Sequence, residues 1–201
     1  MTRILQFSLL IFLLGITTLQ ANGKKPKMLE GSLDPLKSVQ KMNVQFVYEG
    51  MTIGRDNLSD ADYITRKKEE MNKKEPGSGD RWAAAWVHDR TARYEPGFRN
   101  MFNKYSKIKL GDFPEEKYTF LFKSTNTEPG FNVVVARKPS LLSGEAWIVE
   151  TAHPETVICK LQVTNAQGNV PDSDFDTGQR IRFAYVKAAY LLQRFIAHKI
   201  D

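Results

Sequence analysis

The chain has 201 residues, 41% of them hydrophobic, and a formal net charge of +6. This composition suits one globular domain and excludes both a disordered chain and a collagen-like spacer. Cys159 is the single cysteine, so an internal disulfide and a cysteine-based metal site are excluded. With only three histidines besides, the sequence predicts no metal and no cofactor.

Residues 1–23 have the pattern of a secretory signal peptide. Arg3 is the only charged residue before Lys24, and the apolar run Ile4–Ile16 lies between them. The run is shorter than the roughly 20 residues of a membrane-spanning helix. We therefore predict cleavage after Ala21 or Gly23 and an exported protein, periplasmic or secreted, with no membrane span in its mature chain. An uncleaved anchor is the alternative.

No cysteine lies near this cleavage site, so the sequence does not predict a bacterial lipoprotein. Residues 24–41 are polar and are interpreted as an N-terminal arm. A single α/β domain is predicted over residues 42–201. Its first strand is Asn43–Tyr48, in which apolar and polar side chains alternate.

A helical insertion is predicted at about residues 58–105. Its first helix is Leu58–Lys74, with Ser59 as the N-cap. A second helix begins at Asp80, and Pro96 either kinks it or opens a third helix over residues 96–105. A periodicity of about 100° per residue places one set of side chains on the buried face. These are Ala83, Val87, Tyr94, Phe98, Met101 and Tyr105.

Four further strands are predicted between turn signals: the first and the last have apolar residues on one face, the second is rich in valine, and the third contains the apolar run Trp147–Val149. They are Tyr118–Thr127, Phe131–Arg137, Gly144–Thr151 and Thr156–Asn165. Short connections favour antiparallel neighbours. A long amphipathic helix then runs from Asp176 or Thr177 to about Lys199. The predicted fold is thus α/β, with one mixed, mostly antiparallel five-stranded sheet flanked by helices.

No catalytic constellation is recognisable in the sequence, and no catalytic residue is predicted. Cys159 lies in register with apolar strand residues, which is typical of a buried structural thiol. Asp172, Asp174 and Asp176 have the alternate spacing of a calcium loop, but the required glycine and closing glutamate are missing. A helix-capping acidic loop is the better interpretation.

The basic residues are interleaved with acidic ones, as in the stretch Lys67–Glu70, which argues against a nucleic-acid-binding protein. One surface pattern is more specific. Trp82, Trp86, Arg90 and Arg93 follow one flank of the second helix. Tryptophan and arginine dominate interface hot spots, so this flank is a candidate partner-binding site. The alternative is that the tryptophans widen the buried face.

Three stretches carry a resemblance to a known superfamily. They are Val44–Gly54, the block Tyr118–Gly168 with its segments Thr127–Asn132 and Glu145–Glu150, and Gly178–Tyr185. The chain resembles the bacterial envelope α/β superfamily of curli-secretion channel lipoproteins, penicillin-binding-protein activator lipoproteins and related domains of unknown function. Its overall composition and layout resemble those of exported proteins from Bacteroides-type bacteria. This chain differs from many members in lacking the lipidation cysteine and in its enlarged helical insertion.

The resemblance implies a non-enzymatic domain of the periplasm or outer membrane that works by protein contacts. We therefore expect a protein-binding or assembly module whose partner is an envelope or outer-membrane protein. Two alternatives from other classes stay open. One is a secreted hydrolase with a carboxylate-lined pocket, and the other is a small-ligand carrier. The oligomeric state is left open.

Overall fold

The computed structural model describes residues 24–133, 135–168 and 176–200. The predicted signal peptide and its cleavage site lie outside the described residues, as do Asp172 and Asp174 of the acidic loop. Between the described termini, strands and helices follow the mixed α/β order that the sequence predicts.

Ten strands are described. They are β1 (Lys27–Gly31), β2 (Lys41–Val47), β3 (Thr52–Ile53), β4 (Leu58–Ser59), β5 (Lys109–Gly111), β6 (Tyr118–Glu128), β7 (Phe131–Val133), β8 (Ala136–Lys138), β9 (Leu141–Glu150) and β10 (Val157–Gln167). Eight of them form one sheet along the path β1-β10-β9-β6-β2-β5, with β3 beside β6 and β4 beside β3. Strand β2 is parallel to β5 and β6, whereas β1, β10, β9 and β6 are antiparallel neighbours.

The predicted number of five strands is wrong, because the sheet has eight. Four of the eight, β1, β3, β4 and β5, have only two to five residues, which is too short for a recognisable alternation. One of them, β1, comes from the polar segment that precedes the first predicted strand.

The predicted strand Phe131–Arg137 does not join the main sheet. It is divided into β7 and β8, which pair only with each other. Gly130 interrupts the β6–β9 pair with a φ of +64°, in the left-handed region that favours glycine, and Pro139 interrupts it on the return. The result is a separate small hairpin at the end of β6 and β9.

The helices are α1 (Asp60–Lys74), α2 (Ser78–Asp89), α3 (Glu95–Tyr105) and α4 (Thr177–Ile200). A short 3-10 turn spans Asp34–Leu36, and a π-helical segment, Arg90–Tyr94, joins α2 to α3. The predicted N-cap of α1 is confirmed, since the Ser59 hydroxyl accepts from the Asp62 amide at 3.1 Å. Asp176 accepts from the Gln179 amide at 3.2 Å and so caps α4.

The hydrophobic core lies between the sheet and helices α3 and α4. From β6, Phe120 and Phe122 pack against Phe98 and Phe102 of α3, with ring centroids 4.7 to 6.0 Å apart. The apolar stripe predicted for α4 faces this core. Its buried members are Ile181, Ala184, Ala188, Leu192 and Ile196, and Leu191 and Phe195 are partly buried beside them.

The buried face predicted for α2 and α3 is only partly right. Val87 is 50% exposed and its neighbour Trp86 only 6%. The π segment adds one residue to the helical turn, so it rotates the two helices relative to each other by about 100°. Trp86, and not Val87, therefore shares a face with Phe98. Tyr105, also predicted on this face, is the last residue of α3 and is exposed.

Candidate functional site

An open cleft lies where β2 ends and α1 begins. We call it the β2 cleft; its lining comprises Tyr48–Thr52, Asn57, Ser59–Ala61 and Arg90, and its volume is about 500 Å³. Two turns shape it. Gly50, three residues after the end of β2, adopts a φ of +75°, and Asn57 adopts a φ of +52° between β3 and β4. Both conformations reverse the chain, so that exposed backbone forms the rim of the cleft.

Asp60 fixes one wall of the cleft. Its Oδ1 accepts a hydrogen bond from the Trp86 indole N–H at 3.0 Å, and its Oδ2 accepts from the Arg90 guanidinium. Arg90 also lies over the Tyr48 ring, 4.7 Å from the centroid. Two opposing groups therefore hold the guanidinium in place, and its side chain is only 17% exposed.

Beneath this wall, the Tyr48 hydroxyl donates to Glu95 Oε1 at 3.2 Å. Burial raises the pKa of Tyr48 far above its ordinary value, so the phenol remains a neutral donor at physiological pH. Burial also raises the pKa of Glu95, against the opposing effect of the hydrogen bond from Tyr48. The cleft can thus offer a fixed cation and hydrogen-bonding groups to a ligand.

The predicted flank contributes an aromatic cluster next to the cleft. Trp82 and Trp86 lie 5.4 Å apart between ring centroids, and both contact Tyr63 of α1, at 5.9 and 5.1 Å. Trp86 is buried, whereas Trp82 is half-buried. Trp86 is therefore the more buried of the two. Their contacts with Tyr63 join α2 to α1.

The structure brings together three of the four predicted site residues. Trp86 and Arg90 share Asp60, and Trp82 packs on Trp86. Arg93 points elsewhere, since it pairs with Asp89 and with Asp176 at the start of α4. The side chain of Arg93 therefore connects α2 with α4 and does not continue the line of Trp82 and Arg90.

Sequence reasoning missed three residues of this site: Tyr48, Asp60 and Glu95. In the sequence, Asp60 is only a carboxylate in the first turn of a predicted helix, where it suits the helix dipole. Its partners lie 26 and 30 residues further along the chain, and no local pattern indicates such a pairing. For Tyr48, the sequence predicts only that it is the last residue of a strand.

Within residues 24–133, 135–168 and 176–200, no three histidine, cysteine or acidic side chains are grouped so that they could hold a metal ion. Among the helices of these same ranges, none combines the length and the apolar character needed to cross a bilayer. Cys159 is buried, and burial raises the pKa of its thiol to about 11.

Comparison with protein families and with curated proteins gives no match. Among solved structures, the chain is similar to the PelC dodecamer from Paraburkholderia phytofirmans, with 10% sequence identity and a TM-score of 0.39 over 85% of this chain and 97% of that one. A variant of the same dodecamer gives 9% identity and a TM-score of 0.38 over 85% and 98% of the two chains. A likeness this weak says nothing about what the present chain does.

Proposed function

We propose that the protein is an exported component of the cell envelope that binds another protein at the β2 cleft and performs no reaction of its own. The observation that carries this proposal is the fixed Arg90 side chain in the wall of the cleft, with the half-buried Trp82 nearby. Arginine and tryptophan contribute more binding energy to protein interfaces than most residues do. An arginine that is already held in place loses little conformational entropy when a partner binds.

The lining of the cleft suits a segment of another protein. Met51 is buried at its floor, and its flexible thioether can adapt to different side chains. Glu49, Asn57 and Ser59 form a polar, exposed rim. An apolar centre with a polar rim is the usual anatomy of a protein interface. The exposed backbone around Gly50 adds hydrogen-bonding groups for an extended chain.

The hydrolase alternative would require a pair of carboxylates that can exchange protons with a substrate. Asp60 and Glu49 are the two carboxylates of the lining. Both oxygens of Asp60 already accept hydrogen bonds, one from the Trp86 indole and one from the Arg90 guanidinium. Such a carboxylate is better suited to positioning Arg90 than to general acid catalysis.

Two features of the sequence support an envelope location for the partner. The signal-peptide pattern of residues 1–23 and the resemblance to envelope proteins both favour an envelope or outer-membrane partner. We expect this partner to meet the protein after export.

Site-specific crosslinking in the native host tests this proposal. A photoreactive amino acid replaces Ala61, which is exposed in the lining of the cleft, or Ala85, which is exposed on α2 outside that lining. We expect a discrete envelope protein to be crosslinked from position 61 and not from position 85. Adding Glu49→Arg to the position-61 protein should abolish this product. The same products from both positions would contradict the proposal.

A further inference from the structure

The hairpin of β7 and β8 carries exposed apolar side chains at the end of the β6–β9 pair. Pairing of β6 with β9 ends at Glu128 and Leu141, and the hairpin pairs again from Phe131 and Lys138. The exposed fractions are 45% for Phe131, 50% for Val133 and 93% for Val135 at the turn. We call β7, Val135 and β8 the apolar tip. A contiguous exposed apolar patch of this kind usually marks an interaction surface.

We propose that the apolar tip inserts into the surface of a phospholipid bilayer that contains anionic lipids. The protein would then be held at a membrane that it does not span. The site is separate from the β2 cleft and goes beyond the function proposed above. Exposure rises from Phe131 towards Val135, which is the order expected when the turn enters the bilayer first.

The dimensions and the backbone of the tip fit this role. Strands of three residues reach about 10 Å, and interfacial segments insert about 5–10 Å into a bilayer. Backbone groups in an apolar medium must have hydrogen-bond partners. The antiparallel pairing of Phe131 with Lys138, Asn132 with Arg137 and Val133 with Ala136 supplies partners within the hairpin.

The charges of the tip indicate the kind of membrane. Arg137 and Lys138 follow the apolar residues on β8, and neither β7 nor β8 contains an acidic residue. Lys138 pairs with Glu128 at 2.6 Å at the base of the hairpin, and Arg137 is exposed beside it. The exposed Arg137 side chain would lie at the level of the lipid headgroups and would favour anionic lipids.

A second copy of the chain fits the tip less well. An apolar depression is lined by Pro26, Leu191 and Phe195 near the end of α4, but Lys25, Arg194 and His198 share its lining. If the tip of another copy entered there, Arg137 would approach Lys25 and Arg194. Like charges oppose such an association, whereas they favour an anionic bilayer.

Vesicle partitioning tests the proposal. The processed protein, with its N-terminus established by mass spectrometry, is mixed with vesicles of phosphatidylcholine and phosphatidylglycerol in a ratio of about 7:3. The double variant Val133→Asp, Val135→Asp should lower the partition coefficient at least tenfold, since charges at this depth oppose insertion. The matched control Val87→Asp alters a valine that is equally exposed on α2 and should change it less than twofold.

Two further measurements separate insertion from charge attraction. Arg137→Gln should reduce the preference for anionic over pure phosphatidylcholine vesicles by about fivefold. A polarity-sensitive fluorophore on Val135→Cys should shift to the blue when vesicles are added. The label is confined to this position because Cys159 is buried.

Three outcomes would overturn the proposal: no partitioning of the unaltered protein, equal partitioning of the double variant, or light scattering that shows self-association dependent on the tip. None of these outcomes bears on the β2 cleft. Crosslinking from position 61 reports on the proposed function separately.

Discussion

A Cβ atom on Gly79 would lie 2.1 Å from the backbone carbonyl oxygen of Lys68, because α2 meets α1 there with almost no space between the two backbones. The Gly79 amide also donates to Asn72 Oδ1 at 2.7 Å, which ties the start of α2 to α1. None of the residues of α1 is fully buried, so α1 depends on α2 for its attachment. Gly79 therefore controls the placement of one wall of the β2 cleft.

We expect Gly79→Ala to destabilise the protein by about 2 kcal/mol. A loss of stability would itself identify the close contact, because alanine in place of glycine inside a helix ordinarily raises the free energy of unfolding by about 1 kcal/mol. Urea denaturation gives the free energy of unfolding, and hydrogen exchange should show loss of protection in α1. The control Ala84→Gly, at an exposed position of α2, should cost only the helix propensity of about 1 kcal/mol. A stabilised Gly79→Ala variant would contradict the close contact.

Ser124 and Tyr185 form a buried hydrogen bond between the sheet and α4, with 2.7 Å between the two hydroxyl oxygens. Tyr185→Phe and Ser124→Ala should each lower the free energy of unfolding by about 1–3 kcal/mol, because each removes one hydroxyl and leaves the other buried without its partner in this hydrogen bond. The double variant should cost clearly less than the sum of the two single variants. A double-mutant cycle in urea measures the difference. Additive losses would show that the two hydroxyls do not interact.

The thiol of Cys159 should be unreactive in the folded protein. Burial raises its pKa to about 11, so at pH 8 only about one thiol in a thousand is ionised. Reaction with a disulfide reagent should be slow in buffer and complete in denaturant. The rate should still rise with pH above pH 9. A rapid native reaction that levels off below pH 9 would show that Cys159 is accessible and activated.

The long elements could be predicted because their patterns repeat many times. Helix α4 has 24 residues, and its apolar stripe identified both its course and its buried face. The strands β6 and β10 have 11 residues each, and their apolar side chains recur at every second position over much of their length. Because one face of a long helix or strand is buried, apolar residues recur along it at a regular spacing, and this spacing can be recognised in the sequence.

The short elements and the geometry of the site depend on contacts between residues that are distant in the sequence. Such contacts leave no local sequence pattern. The two-residue strands β3 and β4 exist because they pair with each other and with β6. The spacing of the apolar residues fits an uninterrupted helix, which would bury Val87. The extra residue in the turn of the π segment buries Trp86 instead. Likewise, nothing near Arg90 in the sequence indicates that Asp60 holds it. The composition of the site was therefore predictable in part, but its geometry was not.

Glu95 should make stability depend on pH in a defined direction. Burial raises the pKa of its carboxyl above the ordinary value of 4.5, so the folded state binds the proton more tightly than the unfolded state does. This contribution to stability is complete below the unfolded-state pKa and is lost as the pH rises through the folded-state pKa. Glu95→Gln keeps an oxygen that can accept from Tyr48 and removes the titration.

We therefore expect the stability of Glu95→Gln, relative to the unaltered protein, to increase between about pH 4 and pH 7. Urea denaturation at these two pH values measures the change. Glu49→Gln, at an exposed rim position, provides a control with the same chemical alteration. An effect of the opposite sign would show that the Tyr48 hydrogen bond outweighs burial.

Trp86 and Trp82 should respond differently to replacement by alanine, although they lie one helical turn apart. Trp86 is only 6% exposed and donates its indole N–H to Asp60, so Trp86→Ala should cost about 3–5 kcal/mol through lost burial and a cavity. Trp82 is half-buried, and Trp82→Ala should cost less, about 1–2 kcal/mol. Thermal melting compares the two variants directly.

The same pair of variants separates a structural role of the indoles from a role in binding. Because Trp82→Ala should leave the fold intact, a weaker crosslink from position 61 in that variant would place the Trp82 indole at the interface. Trp86→Phe is the control: it retains an aromatic ring but loses the hydrogen bond to Asp60 and part of the buried indole, so it should destabilise the protein less than Trp86→Ala does. If Trp82→Ala instead proves as destabilising as Trp86→Ala and crosslinking per folded molecule is unchanged, both indoles serve only to hold α1 on α2.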